Sequence, residues 1–159
     1  MPVLSRVIYN VLCRNIVDSI AFYQNLADLE LIYQNDWYAV LSLPGNRGIE
    51  IGLIDQVSEF TPRHAWGEHY GTYLTLVVDD VFEAVERARE LGVEVIEEPV
   101  ALAYGQTRAL IRDPNGLVID ISTPTELLAE RGDVAFVPSE KTTAIDQRQA
   151  EEKRGQTLT

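Results

Sequence analysis

Laid over itself with Asn15 on Asp80, the chain repeats. Ile8 then falls on Tyr73, Asn10 on Thr75, Leu12 on Val77 and Leu26 on Leu91. An internal duplication of this length limits the fold to two copies of one supersecondary unit. Each copy reads strand, helix, strand, strand, strand. A four-stranded sheet with a single helix leaves one face bare. Two such units resolve this by pairing around a shared concave space, which is a natural ligand pocket. The expected class is therefore α+β, with two fused βαβββ modules curving around a cavity.

Local chemistry supplies the elements. Arg6 to Arg14 is rich in β-branched and apolar residues and predicts a strand. Asn15 is a turn or cap residue, and Asp18 suits the first turn of a helix that carries Ile16, Ile20, Phe22, Tyr23 and Leu26 at helical spacing. Strands follow at 29–33, 37–43 and 49–54, with turn chemistry at Asn35-Asp36 and across residues 44–48. Residues 55–70 hold no period. In the second copy, residues 73–78 alternate as a strand and Asp79-Asp80 caps a helix. That helix has Val81, Val85, Ala88 and Leu91 inside and Glu83, Glu86, Arg87, Arg89 and Glu90 outside. Gly92 stops it. Residues 93–96 form a strand that Pro99 is expected to end, and residues 107–112 form the next.

The last hairpin is the most legible stretch. In Arg112-Asp113-Pro114-Asn115-Gly116, proline presets φ, and Asn115-Gly116 tolerates positive φ. The following run alternates, so Val118 and Asp120 share one face and Ile119 and Ile121 the other. The expected boundaries are a domain over 5–124, made of module 1 (5–55), a linker (56–70) and module 2 (71–124). A tail over 125–159 is expected to be partly helical or extended, with a helical turn or two from Glu126 stopped at Gly132. Its polar stretch, 139–154, is a marginal helix in isolation and a candidate for assembly with a partner subunit.

Charge narrows the partners. Thirteen basic against 25 acidic residues give −12, which argues against nucleic acid and anionic membranes; it either serves solubility and self-repulsion or, weakly, favours a cationic ligand. No apolar run reaches the roughly 20 residues of a membrane span. The N-terminus lacks a charged-then-apolar leader, so a cytoplasmic location is expected. The single Cys13 has no internal partner and reads as a buried, inert thiol.

Ser19-Ile20-Ala21-Phe22-Tyr23, Val78-Asp79-Asp80-Val81, Glu98-Pro99, Tyr104-Gly105 and the run from Arg112 to Asp120 together resemble the vicinal oxygen chelate superfamily. That group holds glyoxalase I, bleomycin-resistance proteins, extradiol dioxygenases, fosfomycin-resistance enzymes and methylmalonyl-CoA epimerase. The resemblance covers about residues 5–124. It implies four metal-ligand positions, here Ile8, Glu50, Tyr73 and Asp120. Isoleucine has no donor, and tyrosine is a poor ligand unless deprotonated, against a free pKa of about 10. The expectation is a vestigial metal position and no cofactor. The alternative is a weakly held Mg²⁺ or Mn²⁺ between Glu50 and Asp120.

With the family's strand faces, Ile8, Asn10, Leu12, Glu50, Tyr73, Thr75, Val77, Val118 and Asp120 face the cavity. Tyr9, Val11, Cys13, Leu74, Leu76, Val78, Ile119 and Ile121 pack under the helices. The ligand-pocket candidates are Ile8, Asn10, Leu12, Trp37, Tyr38, Tyr73, Thr75, Tyr104 and Arg108; the catalytic candidates are Glu50 and Asp120 as an acid/base pair. The bland alternative pairs these acids with arginines such as Arg108. Trp37, Tyr38, Trp66 and Tyr104 either stack on a ligand or simply pack. His64 and His69, five apart in the linker, read as surface or structural. The function expected from the resemblance is small-molecule binding of the bleomycin-resistance type, on an organic ligand that is cationic or aromatic, in a homodimer. The competing reading is a metal-dependent lyase, isomerase or dioxygenase using Glu50 and Asp120.

Overall fold

The computed structural model describes residues 1–132 of the 159, without the side chains of Asn46 and Arg47. The element order is β1 (Val7–Cys13), α1 (Ile16–Leu26), β2 (Glu30–Gln34), β3 (Tyr38–Leu43), β4 (Asn46–Asp55), a 3₁₀ turn at Arg63–Ala65, β5 (Leu74–Val77), α2 (Val81–Glu90), β6 (Val95–Ala101), β7 (Gln106–Arg112), β8 (Val118–Pro124) and α3 (Thr125–Glu130). Two four-stranded sheets result, ordered β1-β4-β3-β2 and β5-β8-β7-β6. In each, the first and last strands of the unit pair parallel and the other pairings are antiparallel. The α+β class and the doubled βαβββ order are as the sequence predicts. The expectations for residues 133–159 lie outside the described residues.

Both helices start where the capping chemistry says. The Asn15 side chain accepts from the Asp18 N–H at 3.1 Å, and that of Asp80 accepts from Phe82 and Glu83, each at 3.0 Å. The buried stripe of α1 is Ile16, Ser19, Ile20, Phe22, Tyr23 and Leu26; that of α2 is Val81, Ala84, Val85 and Ala88. On α2 the outer face is laced by Glu83–Arg87 and Glu86–Arg89 pairs, exposed and worth only a few tenths of a kcal/mol each (~0.3–0.5). Helix α2 ends at Glu90, and Gly92 just beyond it takes φ 76°.

The helix-side faces of both sheets join in one hydrophobic core. Val11, Cys13, Ile119 and Ile121 are fully inside it, while Tyr9, Leu74, Leu76 and Val78 pack against its edge. The alternation read from the sequence is therefore the alternation of the strands. Burial pushes the Cys13 thiol up to about 11, so at neutral pH it stays protonated and unreactive. Leu128 of α3 also enters the core, and the helix ends before Gly132, φ 72°.

One local expectation fails. Pro99 does not end its strand: β6 runs on to Ala101. It is an edge strand with register shifts on either side of Glu97, where a missing N–H costs no ladder bond. In the Asp113–Gly116 turn, only Gly116 takes positive φ, at 88°. Asn115 keeps a negative φ, and its side chain has a task of its own.

That task is to clasp the two halves. Asn115 Nδ2 donates to Ser19 Oγ at 3.0 Å, and Asn115 Oδ1 accepts from the Arg14 N–H at 2.9 Å. Beside it the buried Asp113 accepts from Tyr23 Oη at 2.8 Å and from the N–H groups of Asn115 and Leu117 at 2.8 and 2.9 Å. The hairpin of the second unit is thus hydrogen-bonded to β1 and α1 of the first. Burial, and next the adjacent Asp113 charge, hold the Tyr23 phenol well above its ordinary value, so it is a permanent donor.

Candidate functional site

The faces of the two sheets turned away from the core carry two similar side-chain clusters. On the first, Ile8 is paired with Glu50, Asn10 with Gly52 and Val40 with Gly52 on the other side. Glu50 is only 2% exposed, and its Oε2 accepts from Arg6 Nε at 2.7 Å and faces Arg6 Nη2 at 2.5 Å. Arg6 is the partner that the sequence reading missed. It lies two residues before Ile8, on the same alternating face, so the strand period carries the signal. Tyr38 Oη donates to Asn10 Oδ1 at 3.2 Å. Burial raises the Tyr38 phenol; the Arg6 charge opposes this and the Glu50 charge adds to it, which places all three groups in one neighbourhood.

Gly52 makes this arrangement fit. A Cβ there would lie inside contact distance of Asn10 Oδ1 and 2.9 Å from Tyr38 Oη. Both obstacles are ends of mobile side chains, so Gly52→Ala should break the Asn10–Tyr38 bond, at about 1 kcal/mol, while recovering about 0.5–1 kcal/mol of chain entropy. The expected result in urea denaturation is a net change within about 1 kcal/mol. A much larger loss would mean that Asn10 cannot move.

The second cluster is built on Asp120, 6% exposed, which pairs across the sheet with Thr75 and Leu110. Its Oδ2 accepts from Thr75 Oγ1 at 3.3 Å. Arg108 lies close by, with Nη2 3.9 Å from Glu97 Oε2. Burial raises the Asp120 carboxyl above its ordinary value; the Arg108 charge and the Thr75 bond oppose this without cancelling it. Tyr104 and Tyr73 expose more than half their surface beside it, and the Tyr104 phenol, raised by burial, also feels Arg108, Asp120 and Tyr73. Asp120 Oδ1, Arg108 Nε and Gln106 Oε1 are buried and have no hydrogen-bond partner among the described residues.

The structure thus brings Ile8, Asn10, Glu50 and Tyr38 together on one sheet, and Tyr73, Thr75, Asp120, Tyr104 and Arg108 together on the other. The acids occupy different rungs: Glu50 stands opposite Ile8, Asp120 opposite Thr75, the counterpart of Asn10. Trp37 borders the first cluster, stacked on Tyr38 with ring centres 5.7 Å apart and tilted against linker Phe60 at 4.8 Å. Leu12 and Trp66 line a separate cleft at the end of β1. His64 sits on the exposed 3₁₀ turn, and His69 lines that same cleft half-buried. Among the described residues, no three His, Cys, Asp or Glu side chains come together to hold a metal ion.

The sequence model of the glyoxalase/bleomycin resistance protein/dioxygenase superfamily matches residues 7–121. The chain belongs to this superfamily. Two lactoylglutathione lyases of Neisseria meningitidis, from serogroups A and B, are each 27% identical over 112 residues, covering 67% of this chain and 80% of theirs. Solved members of similar fold include a glyoxalase/bleomycin resistance protein/dioxygenase family enzyme from Burkholderia phytofirmans (TM-score 0.61, 22% identity, 74% of this chain and 96% of that one). TioX from Micromonospora sp. ML1 is similar at TM-score 0.60 and 16% identity, over 76% and 98% of the two chains. A lactoylglutathione lyase from Agrobacterium tumefaciens follows at 0.55 and 18%, over 79% and 98%. At these identities the solved structures establish the superfamily's fold and not its chemistry. No described helix is long and apolar enough to cross a membrane.

Proposed function

We propose that this member of the superfamily binds a small organic molecule on the face of β5–β8 around Asp120, without a complete metal centre. The observation that carries the reading is the set of buried, unpartnered atoms there: an acceptor on Asp120, a donor on Arg108 and an acceptor on Gln106. Such groups are costly in an empty fold and cheap when a ligand completes them. The ligand they suit carries a cationic or amide N–H for Asp120 and a flat ring for Tyr73 and Tyr104. The metal positions fit an ion poorly. Ile8 offers no donor, Tyr73 offers a phenol, and Glu50 is committed to Arg6. The open face of β5–β8, which exposes Tyr73 and Val77, suits closure by a second copy, and we place the homodimer in the cytoplasm.

One experiment separates binder from metalloenzyme. Planar aromatic cations and amides are screened by thermal shift on the full chain, and the best one is titrated before and after dialysis against EDTA. Unchanged affinity is the expected result. A loss of about tenfold or more on chelation, restored by Mg²⁺ or Mn²⁺, would overturn it. The competing reading, a metal-dependent lyase, isomerase or dioxygenase, is favoured by the names of the two Neisseria relatives. It requires one bound divalent ion per site by elemental analysis, lost in the Glu50→Gln, Asp120→Asn double variant.

A further inference from the structure

A further cleft lies away from both acidic clusters. It lies at the seam, between the end of β1, the β7–β8 turn and linker residues 66–70, and its volume is about 570 Å³, within the usual range for a small-molecule pocket of roughly 300–1,000 Å³. Its lining shares no residue with the surroundings of Glu50 or Asp120.

Three observations define what it takes. The first is charge. In a chain of net charge −12, the cleft is lined by two arginines, Arg14 and Arg112, against one acid, Glu68. Arg14 is the exception among the arginines whose side chains are described. Arg6, Arg87, Arg89, Arg108 and Arg112 face carboxylates, Arg63 lies over Trp66 and Arg131 bonds the Asp79 carbonyl. The Arg14 guanidinium has no hydrogen bond or ion pair among the described residues. Arg112 is held by Glu94 at 3.0 Å and by the Gly116 carbonyl at 3.3 Å, which fixes its plane and leaves Nη2 without a hydrogen bond among the described residues.

The second observation is aromatic surface. Trp66 is 51% and Tyr70 79% exposed, and both border the cleft. Arg63 holds one face of Trp66, 5.5 Å from the ring centre. The third is rigidity. The lining residue Asn115 belongs to the clasp, since its Oδ1 accepts from the Arg14 N–H. The guanidinium therefore projects from a fixed backbone.

We propose that this cleft is a second ligand site, independent of the Asp120 face, that takes a small aromatic carboxylate. The carboxylate is held by the Arg14 guanidinium and Arg112 Nη2, and the ring lies against Trp66 and Tyr70. A planar guanidinium recognises a carboxylate through paired N–H donors, and a flat apolar ring covers the exposed aromatics.

The probe is 2-naphthoate, titrated into the full chain by calorimetry, with 2-naphthamide as its neutral isostere. Saturable naphthoate binding that weakens with salt, and naphthamide binding about tenfold weaker or more, are the expected results. Arg14→Gln should cut naphthoate affinity by about tenfold with an unchanged thermal midpoint, since the side chain is exposed and the backbone bond to Asn115 remains. Asp120→Asn should leave it unchanged. No saturable binding overturns the proposal. So does binding that survives Arg14→Gln and fails in Asp120→Asn, which would place the ligand on the β5–β8 face.

Discussion

Asp113→Ala is expected to cost about 3–5 kcal/mol, the largest effect of any single substitution considered. The carboxylate is 4% exposed and takes three hydrogen bonds of 2.8–2.9 Å, from Tyr23 Oη and the N–H groups of Asn115 and Leu117. Truncation leaves the fully buried Tyr23 hydroxyl with no acceptor, at about 1–3 kcal/mol. It also frees two buried N–H groups and loosens Asn115, whose amide joins Ser19 and Arg14. The cost falls on the seam between the halves as well as on one turn. Tyr23→Phe removes only the donor of one bond, leaving Asp113 its other donors, and should cost about 1–2 kcal/mol. Urea denaturation of both single variants and the double variant checks this. Coupling of about 1 kcal/mol or more between the two positions is expected. A loss under about 1 kcal/mol for Asp113→Ala would mean that the clasp does not hold the halves.

That clasp marks the limit of what the sequence discloses. The turn itself is legible because Pro114 and Gly116 act on their own φ angles. The partners of Asn115 are not, because Ser19 and Arg14 lie about a hundred residues away, and no local pattern links them. Strand faces were readable for the opposite reason. A period of two is a local property, and it correctly separates Val11, Cys13, Ile119 and Ile121, in the core, from Asn10 and Thr75 on the other face. The same period contains Arg6, yet a charge near a chain end reads as solvated until Glu50 is seen beneath it. Pro99 shows a third case. Proline ends a strand only where its N–H is needed, and edge position is decided by sheet order, which follows from pairing over long distances. The linker looked irregular and is so in backbone. Its aromatic residues gain meaning only from the cleft they border.

Asp120→Asn should weaken binding of a donor-bearing ligand on the β5–β8 face by about tenfold or more, the worth of one charged hydrogen bond. The same change should leave the fold no less stable at neutral pH. Burial raises the Asp120 carboxyl in the folded chain. Folding therefore favours its protonated form. The stability that this group contributes is fully present below the unfolded value, about 3.9, and is lost as pH rises through the higher folded value. At neutral pH the buried carboxylate disfavours the folded state, and asparagine removes that burden while keeping the shape. Binding follows the opposite sign. Affinity for a cationic ligand should fall as pH drops through the raised Asp120 value, sooner than for an ordinary carboxylate. The asparagine variant should show no such step. Ligand titrations and urea denaturation from about pH 4 to 8 test both halves together. A variant that loses stability at neutral pH yet keeps full affinity would make Asp120 a structural partner of Arg108, and the ligand face would then have to be sought elsewhere.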